Sequence, residues 1–279
     1  MRAFEEFRDE DLGFWAHVKL VSERLGYSLR NGRAAPELRR FEVGQVADCL
    51  ESIGLSAAHL RSEDGVSTEL CERLCSYMNR RADMITNVIQ PNLMDRAAAR
   101  VEYERLFNEV PSERTVKMNK QSGDKRHPSY LSEIVNLITE RELGGVLFDP
   151  DPAVLTVITD DGKPARTLSR RVDGAYPSVV DPQAIWEVKE YYGTTTFGSR
   201  VADGVYITML DGSELAEVEA SLHREVKHYL IVDDHFTWWV KGRSYLCRMV
   251  DMVNAGQVDE VLFGREVLER WPEIVREWA

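Results

Sequence analysis

Glu187 and Lys189 stand two residues apart in the run Ala184 to Tyr191 (AIWEVKEY), and Asp173 precedes them beside Gly174. In an extended strand, residues i and i+2 share a face, so the Glu187 carboxylate and the Lys189 ammonium point the same way. A second carboxylate brought beside them would make a site for a hard divalent cation, which takes oxygen ligands. Hydrolysis of a phosphodiester needs such an ion to screen the phosphate and acidify a water molecule. A neighbouring lysine can orient or deprotonate that water, or stabilise the charge that develops.

The spacing alone is weak evidence, because an acid two residues before a lysine occurs three times in this chain. Asp161-Gly162-Lys163 falls in turn chemistry and is expected to be solvated, and Glu225-Val226-Lys227 has no hairpin-end acid before it. What distinguishes Glu187-Val188-Lys189 is the strand around it. Ile185, Trp186 and Val188 imply burial on both faces, where charge is costly unless paired or bound to a metal. The competing reading is an ion pair on a half-exposed sheet.

The elements that must position these residues are legible in outline. Ser129 to Glu142 has apolar residues at helical spacing and ends at Leu143-Gly144-Gly145. Ala153 to Thr159 predicts a strand, Asp160 to Pro164 a turn, and Thr167 to Val172 the returning strand, with Asp173 at the hairpin end. Ala184 to Tyr191 is the third strand. A helix is expected from Thr194 to Leu210, capped by one of Thr194 to Thr196, with Val201, Val205 and Leu210 on its stripe and Asp211-Gly212 interrupting it. His228 to Val232 reads as a buried strand and Ser244 to Val253 as a helix. Before this, residues 1 to 110 form an α-helical region, with helices at Val43 to Ile53 and Thr68 to Val88, and residues 111 to 279 a second domain.

Asp173 followed by Ile185-Trp186-Glu187-Val188-Lys189, in the order helix, three strands, helix, strand, resembles the PD-(D/E)xK superfamily of restriction-endonuclease-like nucleases over roughly residues 129 to 255. The resemblance implies an α/β fold with an αβββαβ core. It implies catalytic Asp173, Glu187 and Lys189, with Mg²⁺, or alternatively Mn²⁺, held by Asp173, Glu187 and the Val188 carbonyl. A carboxylate from the first core helix, Glu133 or Glu140, can join them. Asp181, after the proline-bearing excursion Tyr176 to Pro182, is the other candidate for the first ligand. The activity implied is that of a hydrolase, a metal-dependent DNA endonuclease in restriction or antiviral defence. The alternatives are an RNA nuclease or a non-catalytic nuclease-fold subunit of a defence complex. Cutting both strands of duplex DNA with one site per chain implies a homodimer.

Candidate contacts to nucleic acid are Lys117, Lys120, Lys125 and Arg126, then Arg170 and Arg171 just before Asp173, and Ser199 and Arg200 after the catalytic strand. They matter because the 279-residue chain carries a net charge of −12. That balance argues against non-specific coating of nucleic acid but leaves room for a local basic cleft. With no apolar run approaching the ~18 residues of a membrane span, a cytoplasmic location is expected. Cys49, Cys71, Cys75 and Cys247 lack a second Cys/His pair at ligand spacing and are read as reduced thiols. His235, Trp238 and Trp239 are read as strand-end and packing residues, and no Walker-type or dinucleotide motif occurs.

Overall fold

In the computed structural model, residues 1–29, 37–62, 64–119, 126–192 and 199–278 are described, except for the side chains of residues 199 and 200. Helices α1 (Leu12–Leu25), α2 (Val43–Glu51) and α3 (Glu69–Met84) make up most of the N-terminal third, with β1 (Ser28–Leu29) and β2 (Glu37–Leu38) as a short ribbon. Asp11 caps α1 by accepting the Phe14 N–H, and Thr68 caps α3 by accepting that of Cys71, so orphan N–H groups are satisfied locally. A π-helical turn, Ile85–Ile89, and the single turn α4 (Gln90–Asn92) lead to α5 (Arg96–Glu109) and α6 (Tyr130–Leu143). Gly144, left-handed at φ 58°, closes α6.

The central sheet has five strands in the order β3 (Asp149–Pro150), β6 (Gly174–Tyr176), β7 (Ala184–Glu190), β8 (Lys227–Asp233) and β9 (Glu260–Phe263). The first three are antiparallel; β8 and β9 continue in parallel from β7, reached through α7 (Ser199–Leu222) and α8 (Arg243–Asn254). The fold is therefore mixed α/β. Along β8 the side chains alternate between two cores, as a period of two requires. Leu230 and Val232 pack with α1, α3 and α8, whereas Tyr229 and Ile231 pack with α5, α6 and α9 (Glu266–Arg276). Both faces are covered, which explains why β8 is apolar almost throughout. The first of these cores runs from Met1 to Phe263, so the N-terminal helices share it with the sheet.

Several sequence expectations are corrected here. The hairpin is β4 (Val157–Asp160) with β5 (Lys163–Thr167), not Ala153–Thr159 with Thr167–Val172, and it forms a sheet of its own. Asp161 and Gly162 both take positive φ, 48° and 75°, as a two-residue turn of this hand demands. The register slips between Ile158 and Thr159 where Pro164, lacking an N–H, enters the ladder. Asp173 consequently precedes β6 instead of ending that hairpin.

Helix α7 is not broken at Asp211-Gly212 but runs on to Leu222, and Leu210 is exposed while Val201 and Val205 are buried. Gly212 is there for close approach: a Cβ would sit 2.1 Å from the Gln257 carbonyl oxygen. Thr194 to Thr196, the expected cap, lie outside the described residues. Strand β9 and helix α9 were not anticipated.

Candidate active site

Strand β6 ends its pairing with β7 where Gly174 faces Trp186, and a Cβ on Gly174 would fall 2.0 Å from the indole. Only glycine lets the two strands meet there. One residue earlier, the Asp173 N–H donates to the Trp186 carbonyl at 3.1 Å, and the carboxylate then receives the Val188 N–H at Oδ2 over 2.8 Å. Because N–H and C=O of one strand residue point to the same side, the Val188 carbonyl faces the edge that β6 leaves open beside Asp173. On the other flank, the Asp151 N–H donates to the Asp173 carbonyl at 2.8 Å, continuing the β3 ladder.

Glu187 and Lys189 share the face of β7 covered by α7. The Glu187 carboxylate is 3% exposed. Its Oε1 is held by the Lys189 ammonium and its Oε2 by Arg170 at 2.8 Å. Arg170 simultaneously grips Asp211 of α7. Gly204, also on α7, lies against the Lys189 stem, where a Cβ would make ordinary van der Waals contact with Lys189 Cγ at 3.5 Å. Glu214, one turn beyond Asp211, accepts the Ser169 N–H at 3.0 Å and the Ser169 hydroxyl at 2.6 Å. Two α7 carboxylates thus anchor the segment that delivers Arg170.

Asp173, Glu187, Val188 and Lys189 open on one cavity of about 330 Å³, together with Glu133, Asn136, Asp151 and Glu190. Glu133, buried at 2% exposure, pairs with Arg114 at 3.2 Å. Glu140 lies elsewhere and accepts the Ser112 hydroxyl at 2.8 Å. Asp181 does not line the cavity: it accepts the Thr159 N–H and hydroxyl, each at 2.7 Å, and binds Arg224 at 2.6 Å, so it holds the β4 hairpin. Of the two candidates for a first ligand, Asp173 is the one at the cavity.

Electrostatics sets these carboxylates apart. Burial, and next the charge of Glu187, push the Asp173 carboxyl up to about 7. Burial also raises Asp211, to about 6, against the pull of Arg170. Glu187, although equally desolvated, is held below the usual range because Lys189 and Arg170 outweigh burial. Burial would lower the Lys189 ammonium, yet the charges of Glu187 and Asp173 raise it above an ordinary lysine. Lys189 is therefore a firm cation. Glu190, on the opposite face of β7, accepts the Leu131 and Ser132 N–H groups at 3.0 and 3.3 Å and so caps α6 from the strand; burial raises it to about 7.

The oxygen donors fit a hard cation. Among the described residues three carboxylates, Asp173, Glu187 and Asp211, face two cations, Lys189 and Arg170, and burial, with the charge of Glu187 second, holds Asp173 towards its protonated form. A divalent ion could take the proton's place between Asp173, Glu187 and the Val188 carbonyl, as Mg²⁺ does with few protein ligands and several waters. Among the described residues no three His, Cys, Asp or Glu side chains are gathered into a complete ligand set.

Of the basic residues, Lys117 lines the cavity and pairs with Asp151 at 3.1 Å. Arg126 and Arg171 are exposed. Lys120 and Lys125 lie outside the described residues, as do the side chains of Ser199 and Arg200. Arg170 is committed to Glu187 and Asp211. Sequence reasoning missed Asp211, Asp151 and Glu190; the one available signal was an Asp-Gly pair persisting inside an apolar helical stripe. The four cysteines are free and buried, and no helix among the described residues is long and apolar enough to cross a membrane.

Comparison with known proteins gives a family without an assigned activity. The family model described as Domain of unknown function (DUF7687) matches residues 94–278, and the chain belongs to that family. A second model, Domain of unknown function (DUF7690), matches residues 1–88. No curated protein and no solved structure matches the chain.

Proposed function

We propose that this chain is a metal-dependent nuclease of the PD-(D/E)xK kind, with Asp173, Glu187 and Lys189 as its catalytic residues and DNA as its substrate. The observation that carries the proposal is the convergence of Asp173, Glu187 and Lys189 on one cavity from the strand pair β6–β7, with Asp173 tied to the β7 backbone. The element order α6, β3, β6, β7, α7, β8 supports the restriction-endonuclease-like core, with the β4–β5 hairpin inserted after β3.

Mg²⁺ or Mn²⁺, when bound, would screen the scissile phosphate and acidify a water ligand. Asp173, Glu187 and the Val188 carbonyl would hold it, with Glu133 next in line from α6. Lys189 has its own part. Held as a cation by Glu187 and Asp173, it orients the attacking water and stabilises the charge developing on the phosphate. Arg170 fixes the Glu187 carboxylate and so acts through another residue. Cutting duplex DNA on both strands with one such site would take two copies of the chain. A restriction or antiviral-defence setting follows from fold analogy alone.

One observation favours a second reading, a non-catalytic module that retains the fold: both Glu187 oxygens are already engaged, by Lys189 and Arg170. Incubation of the purified protein with plasmid and oligonucleotide substrates in Mg²⁺ or Mn²⁺ separates the two. Cleavage abolished in a folded Lys189→Ala protein supports the nuclease, and absence of cleavage supports the module. Single-stranded RNA competing better than duplex DNA would instead make it an RNA nuclease.

A further inference from the structure

A second concavity lies across the first turn of α6 from the candidate active site. Ser129 and Ser132 line the active-site cavity, whereas Pro128 and Tyr130 line the other, a pocket of about 340 Å³. Its remaining walls are Arg96, Ala97 and Arg100 from the start of α5, and Arg126 and His127 from the chain entering α6. Three arginines line it, and among the described residues none of its lining is acidic. In a chain of net charge −12 this is a local reversal of sign.

The arrangement runs against what the helix itself prefers. Arg96 and Arg100 are four residues apart on one face of α5, where like charges repel. Both sit in the first turns, at the positive end of the helix dipole, where carboxylates are favoured. Asp95, the preceding residue, is turned to cap the Ala98 N–H at 2.8 Å. Arg100 makes an exposed pairing with Glu104 at 2.7 Å, an interaction readily exchanged for a better anion. Arg96 and Arg126 have exposed side chains. His127, by contrast, is buried at 4% exposure, its Nδ1 3.0 Å from the Pro128 carbonyl and its ring edge-on to Tyr192, which fixes the pocket floor.

We infer that Arg96, Arg100 and Arg126 form a binding pocket for a backbone phosphate of the nucleic-acid substrate, a few nucleotides along the strand from the bond in the active-site cavity. Planar guanidinium groups suit bidentate contacts to phosphate oxygens, and such contacts set position without reading sequence. The inference rests on the nuclease reading, and extends the basic surface to α5, outside the cluster around Lys117 and Arg126.

The test is a titration of a short fluorescein-labelled duplex with the full chain in Ca²⁺, followed by anisotropy over a range of salt concentrations. In the Arg96→Ala/Arg126→Ala protein the dissociation constant should rise at least about ten-fold, and the slope of log K against log salt should fall by about one per lost phosphate contact. Lys189→Ala should lose cleavage, and Arg105→Ala, an α5 cation outside both cavities, should keep the affinity and slope of the parent. If the parent binds and cleaves while the double variant binds with unchanged affinity and slope, the pocket assignment is overturned and the nuclease reading stands. Binding weakened in the double variant, with no cleavage by the parent, would keep the pocket and remove the nuclease. A parent that binds inorganic phosphate but no nucleic acid overturns both.

Discussion

The Val188 N–H donates to Asp173 Oδ2 across 2.8 Å, so the first carboxylate of the candidate site is aimed by the backbone of the strand that carries Glu187 and Lys189. An asparagine can still accept this bond through its carbonyl oxygen but lacks the charge a divalent ion needs. Asp173→Asn should therefore fold with native stability or better, since burial disfavours the charged form. Calorimetric titration with Mn²⁺ should show weakened or abolished binding, and any cleavage should fall at least about a hundred-fold. Unchanged Mn²⁺ binding would remove Asp173 from the ligand set.

Glu187 separates a structural effect from a catalytic one. Truncation to alanine leaves Lys189 and Arg170 facing each other without their common counter-charge, at a cost of about 3–5 kcal/mol. Glu187→Gln keeps the shape and one of the two polar contacts, because its amide NH₂ cannot accept from the second cation. Denaturant unfolding should rank the parent first, Gln second and Ala well below, while both variants lose cleavage equally. If Glu187→Ala unfolded at the same denaturant concentration as the parent, the buried pairing described here would not be present in solution.

Gly174 is expected to be intolerant for a reason local to the site. The Cβ of Gly174→Ala would overlap the Trp186 indole, itself stacked on Trp278 at 5.8 Å and packed against Trp271 at 5.4 Å, so the ring has little freedom to move. Overpacking of this kind costs about 1–3 kcal/mol or more. Because Asp173 is the adjacent residue, Mn²⁺ affinity should fall along with stability. A variant with normal stability would show that β6 and β7 can separate.

The dependence of stability on pH follows from four buried acids. Burial raises Asp173 and Glu190 to about 7, Asp211 to about 6 and Asp233 to about 8. Each binds its proton more tightly folded than unfolded, where the ordinary value is about 4. The stability they contribute is complete below the unfolded value and is lost as pH rises through the folded ones. Without added metal, the melting temperature should thus decline between about pH 5 and pH 8. Asp233→Asn, which can still accept the Met94 N–H, should flatten the upper part of this decline. A melting temperature that rose steadily to pH 9 would contradict the raised values.

The outline of the fold was legible where apolar periodicity is strong: α6, β7, β8 and α8 begin and end within a few residues of expectation. The Glu187 and Lys189 pairing was legible for the same reason, a period of two inside a buried run. Failures came where tertiary contacts override local signals. Asp211-Gly212 reads as a break, yet Asp211 pairs through Oδ2 with Arg170 and Gly212 is required by the closeness of Gln257, neither of which is near in sequence. The β4–β5 hairpin is marked by its Asp161-Gly162 turn but forms a two-stranded sheet of its own, and nothing local says which sheet a hairpin will join. Strand β9 is four residues long and takes its strand partner, β8, from across helix α8. Arg170 looked like a phosphate ligand because sequence shows its charge and not the two carboxylates that occupy it.

The central claim is that Asp173, Glu187 and Lys189 form a hydrolytic metal site acting on nucleic acid, and the most direct measurement is cleavage itself. Purified protein would be incubated with supercoiled plasmid in Mg²⁺, in Mn²⁺ and in EDTA, beside a Lys189→Ala protein shown by unfolding to be native. The expected result is nicking or linearisation by the parent that requires the metal and disappears in Lys189→Ala. Cleavage that persists undiminished in the folded Lys189→Ala protein, or in EDTA, would contradict it.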